Sequence, residues 1–128
     1  MAEHLIDSDV IIWALRSREG ELDLLDRLSS NEVLSCSAIN VLEVEQGARP
    51  SELRTIQEFL AAYNVLPLNA LIARKAAEWL RSAGRKGHRG EWADAAIAAT
   101  ALVHGLTLVT HNLRHYQYPG LSLYPINA

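Results

Sequence analysis

Short apolar runs alternate along the chain with longer segments in which apolar residues recur every three or four positions. The short runs predict buried strands at 5–6, 33–36, 65–68 and 106–109, with a last edge strand at 121–124. The longer segments predict helices at 8–15, 21–28, 38–47, 50–62, 69–82 and 93–104. Because strands separated by helices form right-handed βαβ units, the pattern predicts an α/β fold with a mostly parallel sheet of about five short strands, flanked by helices.

Helix boundaries have local signals. Ser37 and Asn69 stand where N-caps are expected, and Gly105 follows the alanine-rich helix as a C-terminal stop. Gly20 is expected to separate the first two helices, and Asp94 is expected in the first turn of the helix that begins at Ala93.

The chain has 128 residues, of which 49% are apolar and 21% charged. This balance is typical of a globular protein and excludes disorder or a disulfide scaffold, so we expect a single domain over residues 1–128. A lone cysteine, Cys36, fits a reducing compartment. The chain lacks a basic, apolar leader and an apolar run of about 18 residues, so we expect a cytoplasmic protein that makes no membrane contact.

Charge is distributed unevenly. Residues 1–60 carry a net charge of −7, residues 61–128 carry +4, and six of the twelve basic residues lie between Arg74 and Arg89. Arg85, Lys86 and Arg89 fall in a glycine-containing segment, 84–90, which we expect to be a mobile loop that binds a polyanion beside the acids, with a merely solvated loop as the simpler alternative.

Carboxylates and small polar residues follow the predicted strands, at the edge of a parallel sheet where ligands bind. They are Asp7, Ser8 and Asp9 after the first strand, Ser37 and then Glu43 and Glu45 after the second, Thr110, His111 and Asn112 after the fourth, and Asp94 on the alanine-rich helix. Oxygen ligands without paired His or Cys suit Mg²⁺ or Mn²⁺ better than Zn²⁺. A cation held this way can activate water for attack on a phosphodiester.

Simpler roles compete with this interpretation. Asp7, Asp9 and Asp94 could act only as helix-terminal acids that complement the helix dipole. Periodicity does not choose between Glu43 and Glu45, since the helical wheel puts Glu45 in an apolar stripe and Glu43 at its margin.

Four segments, taken in order, resemble the motifs of PIN-domain nucleases. Within that family, the chain length and the residues of the motifs are similar to those of the VapC-type toxins of bacterial toxin–antitoxin pairs. The segments are 5–12, 37–48, 93–102 and 108–116. The resemblance implies a PIN-like three-layer fold and an endoribonuclease that depends on Mg²⁺ or Mn²⁺. It also selects Glu43 over Glu45, because the family's metal-site acid lies four residues before a Gly-Ala pair, here Gly47-Ala48.

By the same resemblance, Asp7, Glu43 and Asp94 would bind metal, Ser8 and Thr110 would orient water or phosphate, and Asn112 would complete the rim. Many relatives carry a further acid after the fourth strand, where this chain has Asn112 and His115, and Asp9 would compensate for its loss. The implied partners are an RNA substrate, a cognate VapB-type antitoxin and a second copy of the chain in a homodimer.

Three other functions compete with the nuclease. Residues 5–10 also resemble the opening motif of haloacid-dehalogenase-type phosphohydrolases, with Asp7 as nucleophile, but no Lys or acid follows Asp94 to complete that mechanism. A receiver-type signalling domain would need a phosphoacceptor near Asn69 and a C-terminal Lys, both of which this sequence lacks. A non-catalytic module that binds RNA or protein would keep the fold without needing the acids.

Overall fold

The computed structural model describes residues 3–82 and 89–126. In this part of the chain the sheet has four parallel strands: β1 (His4–Ile6), β2 (Ser35–Ser37), β3 (Asn64–Leu66) and β4 (Thr107–Val109). Their order is β3-β2-β1-β4, with Leu5 opposite both Ser35 and Leu108. The chain therefore places β2 and β3 on one side of β1 and then returns to place β4 on the other side. The crevice at the carboxyl ends of β1 and β4 is the switch point at which such sheets bind ligands.

Six α-helices and one short 3-10 helix are described. They are α1 (Ser8–Leu15), α2 (Glu19–Ser29), α3 (Ala38–Gln46), α4 (Leu53–Leu60), α5 (Ala70–Ser82), α6 (Arg89–Val103) and the 3-10 helix Leu113–Tyr116.

The helices pack on both faces of the sheet because alternate strand residues point to opposite sides. Leu5 and Leu108 enter one apolar cluster with α5 and α6, whereas Ile6 and Val109 enter a second cluster with α1, α2, α3 and α4. This three-layer arrangement confirms the predicted α/β class.

Several predicted boundaries are wrong. The fifth strand, at 121–124, is reduced to one isolated bridge between Leu123 and Leu108, and Pro125 directly after it has no N–H to continue a ladder. Gly20 does not separate α1 from α2: it lies within α2, and Ser17 makes the turn with a φ of 56°.

The alanine-rich helix begins earlier than predicted. Because α6 starts at Arg89, residues 89–90 are helical rather than part of a loop, and Asp94 lies beyond the first turn, which holds Glu91 instead. The caps at Ser37 and Asn69 are confirmed, since each side chain accepts a hydrogen bond from the start of its helix. Gly105, with a φ of 67°, ends α6 as predicted.

None of the helices described is both long enough and apolar enough to cross a membrane.

Candidate active site

Asp7 lies at the centre of the switch crevice, directly after β1 and at the N-cap of α1. Its side chain is 4% exposed. Oδ1 accepts hydrogen bonds from the backbone N–H of Ser8 (2.8 Å) and from Nδ2 of Asn40 (3.2 Å), and Oδ2 accepts one from the hydroxyl of Thr110 (2.9 Å). The Asp7 carboxylate is therefore held by residues of α1, α3 and the end of β4.

A second carboxylate, that of Asp9 in α1, is hydrogen-bonded to the segment after β4. The Oδ2 atom of Asp9 accepts a hydrogen bond from the backbone N–H of His111 (3.0 Å), and its Oδ1 accepts one from the N–H of Val10 (2.8 Å). Thr110 is fully buried and its hydroxyl also accepts the N–H of Asn112 (3.1 Å). The side chain of Asn112 is exposed, so Asn112 forms part of the crevice's outer edge.

Glu43 and Glu45 point to different neighbours. Oε1 of Glu43 accepts a 2.7 Å hydrogen bond from the hydroxyl of Ser8, and that hydroxyl in turn accepts Nδ2 of Asn40 at 2.9 Å. Glu45 instead accepts a hydrogen bond from Gln57 of α4 (3.2 Å). The structure therefore connects Glu43, and not Glu45, to the Asp7 network.

Asp94 reaches the same crevice from α6. Its Oδ1 accepts a hydrogen bond from the hydroxyl of Tyr116 (3.2 Å), and its Oδ2 lies 3.7 Å from Nδ1 of His115. Besides burial, the charge of Asp9 raises the pKa of Asp94 and the charge of Asp7 raises the pKa of Tyr116, as expected of groups that line one crevice. The three acids that the sequence selected are thus brought to one place.

The described part of the chain places little positive charge beside these acids. Burial, together with the nearby charge of Asp9, raises the pKa of Asp7 to about 6. Burial likewise raises the pKa of Asp9 and of Asp94. Within the described residues, no Lys or Arg forms an ion pair with Asp7, Asp9 or Glu43. A cluster of this kind favours the binding of a cation.

The donor set fits a hard divalent ion. Every side-chain group facing the crevice from Asp7, Glu43, Asp94, Ser8 and Thr110 offers oxygen, which Mg²⁺ and Mn²⁺ prefer. The ligand atoms of the three acids do not all lie within 4.8 Å of one another. The three acids as placed therefore do not all bind one ion directly, and one or more of them would act through the water ligands that Mg²⁺ usually keeps.

One other group of possible ligands occurs among the described residues. Glu3, His4 and Glu32 do converge within 4.8 Å, at the opposite, amino end of β1. Glu32 already accepts the backbone N–H groups of Glu3 and His4 (3.0 Å each) and the ring of His4 (2.9 Å). This group therefore ties the first strand to the segment before β2.

Two residues that contact the acids were missed by the sequence reasoning. Asn40 is fully buried and contacts Asp7, Ser8 and Ser37, although the only sequence signal was its place three residues after the N-cap. Tyr116 is 2% exposed, and no local pattern indicated that its hydroxyl would reach the acids.

The predicted RNA-contacting residues cannot be placed in the same way. Arg85 and Lys86 lie outside the described residues, as does the side chain of Arg89, whose backbone begins α6.

Comparison with known proteins identifies the family. The PIN domain model matches residues 4–121, which span all four strands and every acid of the crevice. The chain belongs to the PIN-domain family. Its relatives include ribonuclease VapC10 of Mycobacterium tuberculosis, 36% identical over 112 residues that cover 88% of this chain and 84% of the relative. This PIN domain is therefore one of the VapC ribonuclease family, and the resemblance stated from the motifs is confirmed.

More distant VapC proteins align over nearly the whole chain. Ribonuclease VapC2 of Haemophilus influenzae is 28% identical, covering 91% of this chain and 92% of the relative. The tRNA(fMet)-specific endonuclease VapC of Shigella flexneri is 25% identical, covering 94% of each chain.

Solved structures share the fold. VapBC2 from Rickettsia felis, bound to a promoter DNA fragment, superposes with a TM-score of 0.80 at 20% identity, covering 97% of this PIN domain and 98% of that chain. VapBC-1 from nontypeable Haemophilus influenzae superposes with a TM-score of 0.79 at 24% identity and full coverage of both chains. PIN-domain nucleases generally use divalent metal ions, and the acidic crevice of this chain is a candidate site for one.

Proposed function

We propose that this PIN domain is a metal-dependent endoribonuclease that acts as the toxin of a toxin–antitoxin pair. The observation that carries the proposal is the hydrogen-bonded set of acids at the switch crevice, in a chain whose relatives are named ribonucleases. Membership of the PIN family removes the reason for considering a haloacid-dehalogenase-type phosphohydrolase or a receiver domain.

In this proposal Asp7, Glu43 and Asp94 hold the cation, with Mg²⁺ or Mn²⁺ as the two candidates. When bound, such an ion would polarise the phosphodiester and lower the pKa of a water molecule. Thr110 and Asn40 fix the orientation of the Asp7 carboxylate, and Ser8 fixes that of Glu43. Asp9 adds negative charge beside Asp7 and holds the segment after β4 through the His111 N–H.

Substrate contacts would come from outside this acidic centre. The exposed side chain of Asn112 stands at the outer edge of the crevice, where it could hydrogen-bond to RNA. We assign Arg85, Lys86 and Arg89 to the RNA phosphates, because an acidic crevice needs nearby positive charge to hold a polyanion.

The partner is an antitoxin of the VapB type. Support comes from the solved neighbours, which are VapBC complexes, and from an open cavity of about 320 Å³ beside Glu43. The apolar side of the cavity is formed by Ile12, Leu15, Val44 and Ile56 and its polar side includes Arg16 and Glu52, so it would accept an amphipathic segment that ends close to the acids. We further propose a homodimer, in the cytoplasm, where RNA and a DNA-binding antitoxin are both found.

The test is incubation of the purified protein with a panel of structured RNAs, in Mg²⁺, Mn²⁺ or EDTA, followed by mapping of the new ends. Internal cuts that need metal and vanish in Asp94→Asn are expected. RNA binding without cuts in either metal would instead assign the chain to the non-catalytic alternative.

A further inference from the structure

Tyr116 donates a hydrogen bond to one of the acids. It ends the 3-10 helix after β4, and its ring is buried in the same apolar cluster as α5 and α6. Its hydroxyl donates to Oδ1 of Asp94 at 3.2 Å. Among the described residues, no other side chain is hydrogen-bonded to Asp94.

We infer that Tyr116 is a positioning residue of the metal centre, whose hydroxyl holds the Asp94 carboxylate in the orientation that a divalent cation requires. This inference rests on the proposed metal-dependent function. In this role Tyr116 neither contacts RNA nor takes part in the cleavage step.

The two acids differ in how firmly the protein holds them. Asp7 has three hydrogen-bond donors, from Ser8, Asn40 and Thr110. Beside Tyr116, the described residues offer Asp94 only the 3.7 Å approach of His115, whose own side chain is 65% exposed. The Tyr116 hydroxyl is therefore the contact that orients Asp94.

The chemistry of the hydroxyl suits this role. A carboxylate offers about four lone-pair positions, so a bond from Tyr116 leaves others free for a cation. Burial and the charges of Asp7 and Asp94 raise the pKa of the Tyr116 phenol, so the hydroxyl remains a donor at every working pH. Groups that hydrogen-bond to metal ligands typically change metal affinity by about 10- to 100-fold when they are removed.

The experiment compares Tyr116→Phe with the matched variant Tyr63→Phe, which removes a partly buried hydroxyl far along the chain from the acids. Mg²⁺ and Mn²⁺ are titrated into each metal-free protein by calorimetry, and RNA cleavage is followed as a function of metal concentration. Tyr116→Phe should bind metal about 10- to 100-fold more weakly, and its cleavage rate should recover at saturating metal. Tyr63→Phe should match the wild type in both measurements.

Three results would overturn the inference. Unchanged metal affinity in a folded Tyr116→Phe protein would make Tyr116 a core residue only. A cleavage rate that stays low at saturating metal would place its hydroxyl on the reacting atoms. A wild-type protein that binds neither cation would remove the metal site itself, and with it the proposed function.

A measurement on the wild type covers the case in which Tyr116→Phe does not fold. The buried Tyr116 hydroxyl proton can be observed by NMR, since burial slows its exchange with water. Its resonance should shift during a Mg²⁺ titration and saturate with the cleavage rate, whereas a resonance that does not move would contradict the inference.

Discussion

The hydroxyl of Ser8 donates a 2.7 Å hydrogen bond to Oε1 of Glu43, joining the first turn of α1 to the middle of α3. Ser8 is held in turn by Asn40, which also contacts Asp7. Through this chain of bonds the orientation of Glu43 depends on the residues that orient Asp7. Glu45, two positions later in α3, takes no part in these hydrogen bonds and instead accepts one from Gln57 of α4.

The first prediction compares these two acids. Glu43→Gln should reduce RNA cleavage by about 100-fold or more, because it removes a charged metal ligand, whereas Glu45→Gln should stay close to the wild type. Single-turnover cleavage at fixed Mn²⁺ measures both. An inactive Glu45→Gln beside an active Glu43→Gln would reverse the assignment in α3.

The second prediction concerns pH in the metal-free protein. The pKa of Asp7 is about 6 in the folded state and 3.8 in the reference state, so the folded protein binds the proton more tightly. The free energy of unfolding should therefore fall as pH rises from about 4 to about 6, by about 3 kcal/mol for Asp7 alone, and then level off. Urea unfolding across this range, in EDTA, measures the effect.

The third prediction uses Asp7→Asn. Without metal at pH 7.5 the variant should melt at a higher temperature than the wild type, because a buried, repelled charge has been removed. Mg²⁺ at about five times its dissociation constant should add roughly 1 kcal/mol to the wild type, or about 3–6 °C, and much less to the variant. Asp23→Asn, on the exposed face of α2, is the control and should change neither value.

A lower metal-free melting temperature in Asp7→Asn, with the Mg²⁺ response intact, would instead make Asp7 a helix cap alone.

The fourth prediction concerns Asn40. Its amide accepts the N–H of Ser37 (2.8 Å) and donates to Asp7 and Ser8, with no exposure to water. Asn40→Ala should lower the free energy of unfolding by about 3 kcal/mol, because buried partners lose their bonds and a cavity forms. Urea unfolding beside the exposed Asn64→Ala tests this, and equal stability of the two variants would show that the Asn40 contacts contribute little.

The fifth prediction concerns the basic segment. Replacing Arg85, Lys86 and Arg89 with Gln should weaken RNA binding and reduce the slope of log affinity against log salt by about 2, since each phosphate contact releases counterions. The same change at Arg27, Arg49 and Arg54, in the acidic half of the chain, is the charge-matched control. If the salt dependence of RNA binding is unchanged after Arg85, Lys86 and Arg89 are replaced, these three side chains are only solvated and do not contact RNA.

The strand-edge acids were predictable because a parallel sheet places the residues after each strand together. Asp7, Asp9 and Thr110 meet as that rule requires, over a sequence separation of about 100 residues. The choice of Glu43 was not available from periodicity, because the apolar positions of α3 do not mark its buried face: the buried residues are Asn40 and Val44, while Leu42 is 58% exposed. The family resemblance, rather than the apolar pattern, supplied it.

What the sequence could not indicate depends on tertiary contacts. Tyr116 belongs to a four-residue 3-10 helix with no periodic signal, and its hydroxyl meets Asp94 of α6 only in the folded chain. The prediction of a fifth strand was wrong for a similar reason. The apolar alternation at 121–124 does not show how few backbone hydrogen bonds this segment makes with the sheet.

RNA cleavage by this PIN domain should depend on a cation held by the acids of the switch crevice. The most direct test follows cleavage of one RNA by the wild type in Mn²⁺, then in EDTA, then after Mn²⁺ is restored, with Asp94→Asn in parallel. Cleavage should stop in EDTA, return with Mn²⁺, and be absent from Asp94→Asn throughout. Cleavage that continues in EDTA, or that survives the loss of the Asp94 charge, would show that the reaction needs neither the cation nor these acids.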